Sequence, residues 1–333
     1  MIVEIGGINL ASPVFLAPMA GITDVPFRNA VLRHGAGLVV SEMIASREML
    51  SARPSTRARA ELGLGDAQTA VQIAGNDPEL MAETARLCAG EGARIIDINF
   101  GCPAKKVTSG LSGSALMRDP DVALRIVEAV VAAVDVPVTV KMRLGWDEDC
   151  LTAPEIARQA EAAGVRMICV HGRTRCQFYK GRADWNAIAA VRAAVRIPLI
   201  ANGDIISAGT AAEALARSGA DGVMIGRGAQ GRPWVLAEIA HALYGTPAPN
   251  IPQGAARAAM MVYRNDSGRV LGITPTVMVV PPELEEDALH ILNTETNDGG
   301  GSNPWKGTAE LIVTPYIAGS SARGGLRHDH THF

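Results

Sequence analysis

With 333 residues, 48% of them hydrophobic, and a formal net charge of −3 at pH 7, the chain has the composition of a globular protein, enough for one domain of roughly 250 residues and an appendage. That charge excludes a global attraction for nucleic acid, so any polyanion contact must come from a local basic patch. No apolar run reaches the ~18 residues of a membrane span and no basic-then-apolar leader pattern is found. Five cysteines (Cys88, Cys102, Cys150, Cys169, Cys176) without a CxxC pair read as reduced thiols of a cytoplasmic protein, not a disulfide framework or metal site.

In chain order, Ile2–Ile8 reads as a small hairpin that plugs a barrel floor. Short apolar runs then recur at intervals of about 25 to 45 residues, with helical-period segments between them. The strands are expected at Val14–Ala17, Leu38–Ser41, Ala70–Ile73, Ile95–Ile98, Val138–Val140, Met167–Val170, Leu199–Ala201 and Gly222–Ile225. Pro26 opens the first helix, Asp77-Pro78 and Asp119-Pro120 supply cap and first-turn proline for two others, and Pro154, Asp184 and Ser207 mark three more starts. Gly90, Gly92, Gly164 and Gly219 fall where helices stop. Such a repeat predicts the α/β class, a (β/α)8 TIM barrel of parallel strands with helices outside.

Reactive side chains of a barrel gather where its strands end, because those ends share one face. After the predicted strands come Pro18-Met19-Ala20, Glu42, Gln72, Asn99 with Cys102, Lys141 with Arg143, His171 with Arg173, Asn202-Gly203-Asp204, and Gly226-Arg227. Cys102 follows a buried run and a glycine turn, placed to act as nucleophile or proton donor; the plainer alternative is a small buried hydrophobe. Gly203 and Gly226, after the last two strands, suit a phosphate held by backbone N–H groups, with Arg227 adding a charge. Lys141 would emerge at the mouth to stabilise negative charge on a reduced ring, and Gln72 offers a donor and an acceptor to such a ring's edge. Both are equally compatible with a phosphorylated sugar. No GxGxxG follows the first strand, which argues against a Rossmann site. His171 reads as a phosphate or ring contact, since no second metal ligand lies at helical spacing.

Taken together, Ala17-Pro-Met-Ala-Gly21, Val71-Gln-Ile-Ala-Gly75, Asp97-Ile-Asn-Phe-Gly-Cys-Pro103, Gly110-Leu-Ser-Gly-Ser-Ala-Leu116, Val140-Lys-Met-Arg-Leu-Gly145, Val170-His-Gly-Arg-Thr174, Ala201-Asn-Gly-Asp204 and Ile225-Gly-Arg227 resemble the bacterial tRNA-dihydrouridine synthases, in their B-type branch, over about residues 1 to 250. The resemblance implies a flavin mononucleotide (FMN) enzyme that uses NADPH to reduce uridine to 5,6-dihydrouridine in tRNA. It implies that Pro18, Met19, Ala20, Gln72, Lys141, His171, Asn202, Gly203, Asp204, Gly226 and Arg227 hold the flavin. Flavin N5 would give hydride to uracil C6, and Cys102 would give a proton to C5. Asn99, Lys141 and Arg143 would orient the uracil, and Arg173 would meet substrate phosphate. Lys105-Lys106 and Arg118, near the Cys102 loop, add positive charge for RNA, or are a solvated loop.

Beyond the barrel, expected over residues 1–245, the resemblance implies a helical bundle that grips tRNA, beginning near Pro252. Only Gly254–Tyr263 reads as helical there. Leu271–Pro282 is strand-like, Glu283–Asn293 a short helix, Asn297–Asn303 a glycine-rich linker and Pro304–Tyr316 another strand. About residues 268–317 are similar to a fragment of the Mu-like phage major head subunit. The expected divisions are therefore an atypical segment over 246–318 and a loose, disordered tail over 319–333, where His328, His330 and His332 alternate with other residues but need bind no metal. Two further readings stand beside tRNA reduction. One is a flavin barrel acting on a free pyrimidine; the other is a fusion or frameshift product whose barrel binds flavin with impaired or no activity on tRNA.

Overall fold

A computed structural model describes residues 3–50, 68–108, 111–249, 277–280, 310–313 and 325–327, together with Leu289 and Asn293. The hairpin pairs β1 (Val3–Ile5) with β2 (Ile8–Leu10), so it runs two residues beyond the expected Ile2–Ile8. Its loop is Gly6-Gly7, both at positive φ (53° and 87°), the backbone that a two-residue hairpin turn requires.

The strands that follow are β3 (Val14–Leu16), β4 (Leu38–Val40), β5 (Ile44–Ala45), β6 (Thr69–Ala74), β7 (Ile96–Phe100), β8 (Val138–Arg143), β9 (Met167–His171), β10 (Leu199–Asn202) and β11 (Gly222–Ile225). Parallel pairing runs β3–β4–β6–β7–β8–β9–β10–β11 and returns from β11 to β3, which closes the eight-stranded TIM barrel. The short β5 adds to the edge of β6. Helices lie between the strands, and their starts follow local chemistry. Asp24, Asp77, Asp119 and Asp184 each accept a backbone N–H three residues on, and Ser207 forms a capping box with Thr210. Each such cap contributes about 1 kcal/mol. The first helix begins at Val25 behind the Asp24 cap, so Pro26 sits inside its first turn.

Two apolar cores result from the two faces of each strand. Val71, Ile73, Ile96, Ile98, Val140, Met142, Ile168 and Val170 face outward and pack with the helices. Phe15, Leu38, Ala70, Met167, Cys169, Ile200 and Met224 fill the barrel interior, where Val3, Ile5 and Leu10 of the hairpin join them and plug the floor as expected. Five strands run further than the sequence suggests: β6 to Ala74, β7 to Phe100, β8 to Arg143, β9 to His171 and β10 to Asn202. Those added residues include the polar ones of the mouth.

Residues Met1–Pro249 form one compact unit and Asn250–Phe333 another. Within the second, Val277–Val280 pairs in parallel with Glu310–Val313 and antiparallel with Gly325–Arg327. The first two strands fall inside the stretches read as strand-like. The third lies in the stretch read as a loose tail, where an open sheet edge supplies its backbone partners. The helix read over 254–263, most of that over 283–293 and the linker over 297–303 lie outside the described residues. Among the described residues no helix is long and apolar enough to cross a membrane.

Candidate active site

The register of the barrel stacks its inward side chains in layers. One layer aligns Gln72, Asp97, Thr139 and Met167; the next aligns Asn99, Lys141, Cys169 and Ile200; the uppermost aligns Arg143, His171, Asn202 and Met224. Along β7, β8, β9 and β10 the inward positions thus become polar toward the mouth. Alternation on a strand keeps these groups on one face, so residues far apart in sequence meet.

Cys102 follows β7 on a tight turn and is partly buried. Asn99 Oδ1 accepts hydrogen bonds from the backbone N–H of Gly101 (3.0 Å) and of Cys102 (2.9 Å). Ser114 donates its hydroxyl to the Cys102 carbonyl at 2.8 Å. Gly113 is required here, since its φ is +60° and a Cβ would sit 2.9 Å from that carbonyl oxygen. Arg143, 2% exposed, donates Nε to the Gly101 carbonyl at 2.8 Å and Nη1 to those of Thr174 and Phe178 at 2.9 Å each. It therefore ties the Cys102 turn to the loop after β9. Burial pushes the Cys102 thiol above its ordinary pKa, against opposing pulls from the Ala104 N–H, Arg143 and Lys141. A thiol so placed stays protonated near neutrality and is suited to donate a proton.

Lys141 is 9% exposed and donates Nζ to Asn202 Oδ1 at 3.1 Å, while Asn202 Nδ2 donates to the Met224 carbonyl at 2.7 Å. Burial lowers the lysine's pKa, as does neighbouring Arg143, while Cys169 and Asp97 oppose the shift. Met19 and Gly226 are neighbours: a Cβ on the glycine would lie 3.8 Å from the Met19 sulfur, in ordinary contact. Pro18 is half-buried and Ala20 exposed at the end of β3.

On the β9–β11 side, Arg173 (2% exposed) donates Nη2 to Asp204 Oδ2 at 2.6 Å and to the Gly181 carbonyl at 2.7 Å. Its Nη1 lies 3.2 Å from His171 Nε2. Since a guanidinium only donates, that imidazole nitrogen accepts, which puts the ring proton on Nδ1. Burial, and then the positive charge of Lys141, Arg143, Arg173 and Arg227, keep His171 well below its usual pKa. The ring is neutral at pH 7. Burial alone would raise the pKa of Asp204, but hydrogen bonds from Arg173 and the Ala183 N–H, with the charges of Arg173 and Arg227, hold it low. Arg227 is mostly exposed and reaches Asp204 at 3.6 Å. Gly203, with φ +114°, passes so close to His171 and Ala183 that a Cβ would lie 2.9 Å from the imidazole and 2.7 Å from the alanine methyl. Trp185 Nε1 donates to its carbonyl at 2.9 Å and anchors the turn.

The barrel thus gathers most of the predicted residues, but Asn99, Arg143 and Arg173 spend much of their hydrogen-bonding capacity on the scaffold. The Lys105-Lys106 side chains lie outside the described residues. Arg118 stands 4.1 Å from the Trp146 ring, which Arg175 covers as well at 4.8 Å. Thr139 and Tyr179 escaped the sequence reading, and Asp97 stood in it within a motif but without a role. Asp97 and Thr139 lie on the inward alternation of β7 and β8, which is a readable signal. Tyr179, half-exposed at the mouth with the Arg143 and Arg227 guanidiniums 5.7 and 5.4 Å from its ring, sits on a loop without periodicity. Among the described residues there is no cluster of metal-ligating side chains.

Residues 15–266 match the family model described as dihydrouridine synthase (Dus), and residues 250–317 match that of the Mu-like prophage major head subunit gpT. The chain is 64% identical over 255 residues to a Rhodobacter capsulatus protein named probable tRNA-dihydrouridine synthase, covering 76% of this chain and 79% of that one. A Rickettsia conorii protein of the same name is 55% identical over 242 residues (72% and 73% of the two chains). The tRNA-dihydrouridine synthase B of Vibrio cholerae is 51% identical over 250 residues (75% and 78%).

Proposed function

The chain belongs to the dihydrouridine synthase family, and on that premise we propose that it reduces uridine to 5,6-dihydrouridine in tRNA, using bound FMN and NADPH as reductant. The observation that carries this reading is a partly buried Cys102 held on the same rim as Lys141, His171, Gly203 and Gly226.

The donor set fits a flavin with its phosphate. Gly203 lets the backbone pack directly against His171 and Ala183, and Gly226, where a Cβ would meet nothing closer than 3.8 Å, leaves backbone open to a phosphate. Arg227 stands at the exposed end for phosphate charge. Pro18, Met19, Ala20 and Gln72 would lie against the ring and its edge, with Lys141 and His171 on its ring and phosphate sides. Asn202, Gly203, Asp204, Gly226 and Arg227 would complete the phosphate cup. When bound, the flavin supplies hydride chemistry. Neutral His171 donates through Nδ1 without adding positive charge, while Lys141 stabilises negative charge. Cys102 gives its Sγ proton to C5 of the uracil, and its raised pKa favours this over a nucleophilic role. Asn99, Lys141 and Arg143 orient the base, and Arg173 supports the phosphate end through Asp204 and His171.

The target uridine must leave its stack, at a cost of a few kcal/mol. Exposed Tyr179 at the mouth offsets part of that cost by base stacking. A cytoplasmic location accompanies such a substrate. The barrel over residues 1–245 would carry this chemistry, and residues 246–318 and 319–333 would have no part in it.

The test is yellow, NADPH-oxidising protein and dihydrouridine restored to tRNA of a strain lacking its own synthases. Cys102→Ala should keep the colour and lower dihydrouridine formation by ~10²-fold or more. Colourless protein, or a Cys102→Ala variant as active as the parent, would refute the reading. A second reading, a flavin barrel with weak tRNA action, is favoured by the head-subunit match that begins before the first family match ends.

A further inference from the structure

Asp97 lies beneath the mouth, 2% exposed, two residues before Asn99 on the same inward face of β7. Its Oδ1 accepts from the Thr139 hydroxyl at 2.6 Å and its Oδ2 from Gln72 Nε2 at 2.7 Å. Gln72 Oε1 accepts in turn from Asn99 Nδ2 at 2.7 Å. Asn99 Oδ1 then takes the N–H groups of Gly101 and Cys102. The two ends of this relay have fixed polarity. A carboxylate oxygen accepts, and a backbone N–H only donates. Each of the two amides between them must therefore donate through nitrogen on one side and accept through oxygen on the other. Turning either amide over would set donor against donor or acceptor against acceptor, in a buried place where an unpaired polar group is strongly unfavourable.

We propose that Asp97 is a positioning residue, which through Gln72 and Asn99 fixes the turn at Gly101-Cys102 and so aims the thiol into the mouth. Its kinetic consequence rests on the reading of Cys102 as proton donor; the positioning itself does not. Replacement by Asn preserves the relay, because its oxygen accepts from Gln72 while its nitrogen donates to the Thr139 hydroxyl. Replacement by Ala removes the anchor, leaving Gln72 free to turn and Asn99 free to release the turn.

The test uses the full chain and reads alkylation of Cys102 by iodoacetamide, peptide by peptide, against exposed Cys176 in the same molecule. Asp97→Ala should raise the Cys102-to-Cys176 rate ratio by at least ~5-fold as the thiol gains solvent. The same variant should lower kcat for dihydrouridine formation by ~10-fold or more, with KM for tRNA within ~2-fold of the parent. Asp97→Asn should keep the ratio within ~2-fold and much of kcat. A folded Asp97→Ala protein with the parental ratio would overturn the proposal, as would an Asp97→Asn protein as perturbed as Asp97→Ala. If Asp97→Ala does not fold, Asp97→Asn combined with Thr139→Val leaves the amide free to turn and takes its place. A chain that makes no dihydrouridine but keeps this alkylation pattern would refute the proposed activity and support the positioning.

Discussion

His171 depends on its neighbours for its charge state, and that dependence sets a pH response. Its Nε2 accepts from Arg173, and burial with four nearby cations keeps its pKa well below the usual ~6.5. The unfolded chain therefore takes up a proton as pH falls through ~6.5, while the folded chain does not. This group's contribution is present above that pH and is lost progressively below it. Asp97, whose pKa burial raises, works in the opposite direction. The informative quantity is thus the difference between parent and His171→Asn. Urea midpoints measured between pH ~7.5 and ~5.5 should fall more steeply for the parent than for the variant. Parallel curves would mean that the imidazole is not held neutral.

At the scale of turns and loops, two side-chain arrangements hold the mouth together. Gly203→Ala would force a Cβ into contact with His171 and Ala183 at a φ of +114°, so about 1–3 kcal/mol of stability should be lost. Flavin should also leave this variant faster, as followed by fluorescence during dilution. Arg143→Lys keeps the charge but cannot span the carbonyls of Gly101, Thr174 and Phe178. Leaving buried carbonyls unpaired should cost ~2 kcal/mol or more and speed proteolysis within the 174–182 loop, visible by mass spectrometry of the nicked chain. These elements also mark what could be read from the residues alone. The strand order, the caps at Asp77, Asp119, Asp184 and Ser207 and the clustering of polar groups at the strand ends were legible, because each rests on short-range periodicity or local hydrogen bonding. The strand ends were set too early, since polar Asn99, Lys141, Arg143 and Asn202 look like loop residues until the barrel supplies their partners. The inward step from Asp97 to Asn99, and from Thr139 through Lys141 to Arg143, carried the missing signal. Tyr179 had none: its position follows from Phe178, a non-glycine residue at φ +53°, and from guanidiniums brought there by distant strands.

For the whole molecule, the question is how chemistry and substrate capture divide along the chain. The residues proposed for flavin and proton transfer all lie within Met1–Pro249, the first compact unit. The match to the family ends at residue 266, while the match to a head-subunit family begins at residue 250. With an overall charge of −3, the chain has no general pull on RNA, so affinity must come from local cations and from whatever residues 250–333 contribute. A chimera tests the division: residues 1–249 of this chain followed by the remaining C-terminal part of the Rhodobacter capsulatus relative. If that part supplies RNA contacts that the present residues lack, KM for tRNA should fall by ~10-fold or more, and the dependence of log KM on log salt should steepen. Flavin content and NADPH oxidation without tRNA should stay unchanged, because no group of the mouth is altered. An unchanged KM would assign tRNA capture to the barrel rim and the present C-terminal residues together, and the role of Tyr179 would grow accordingly.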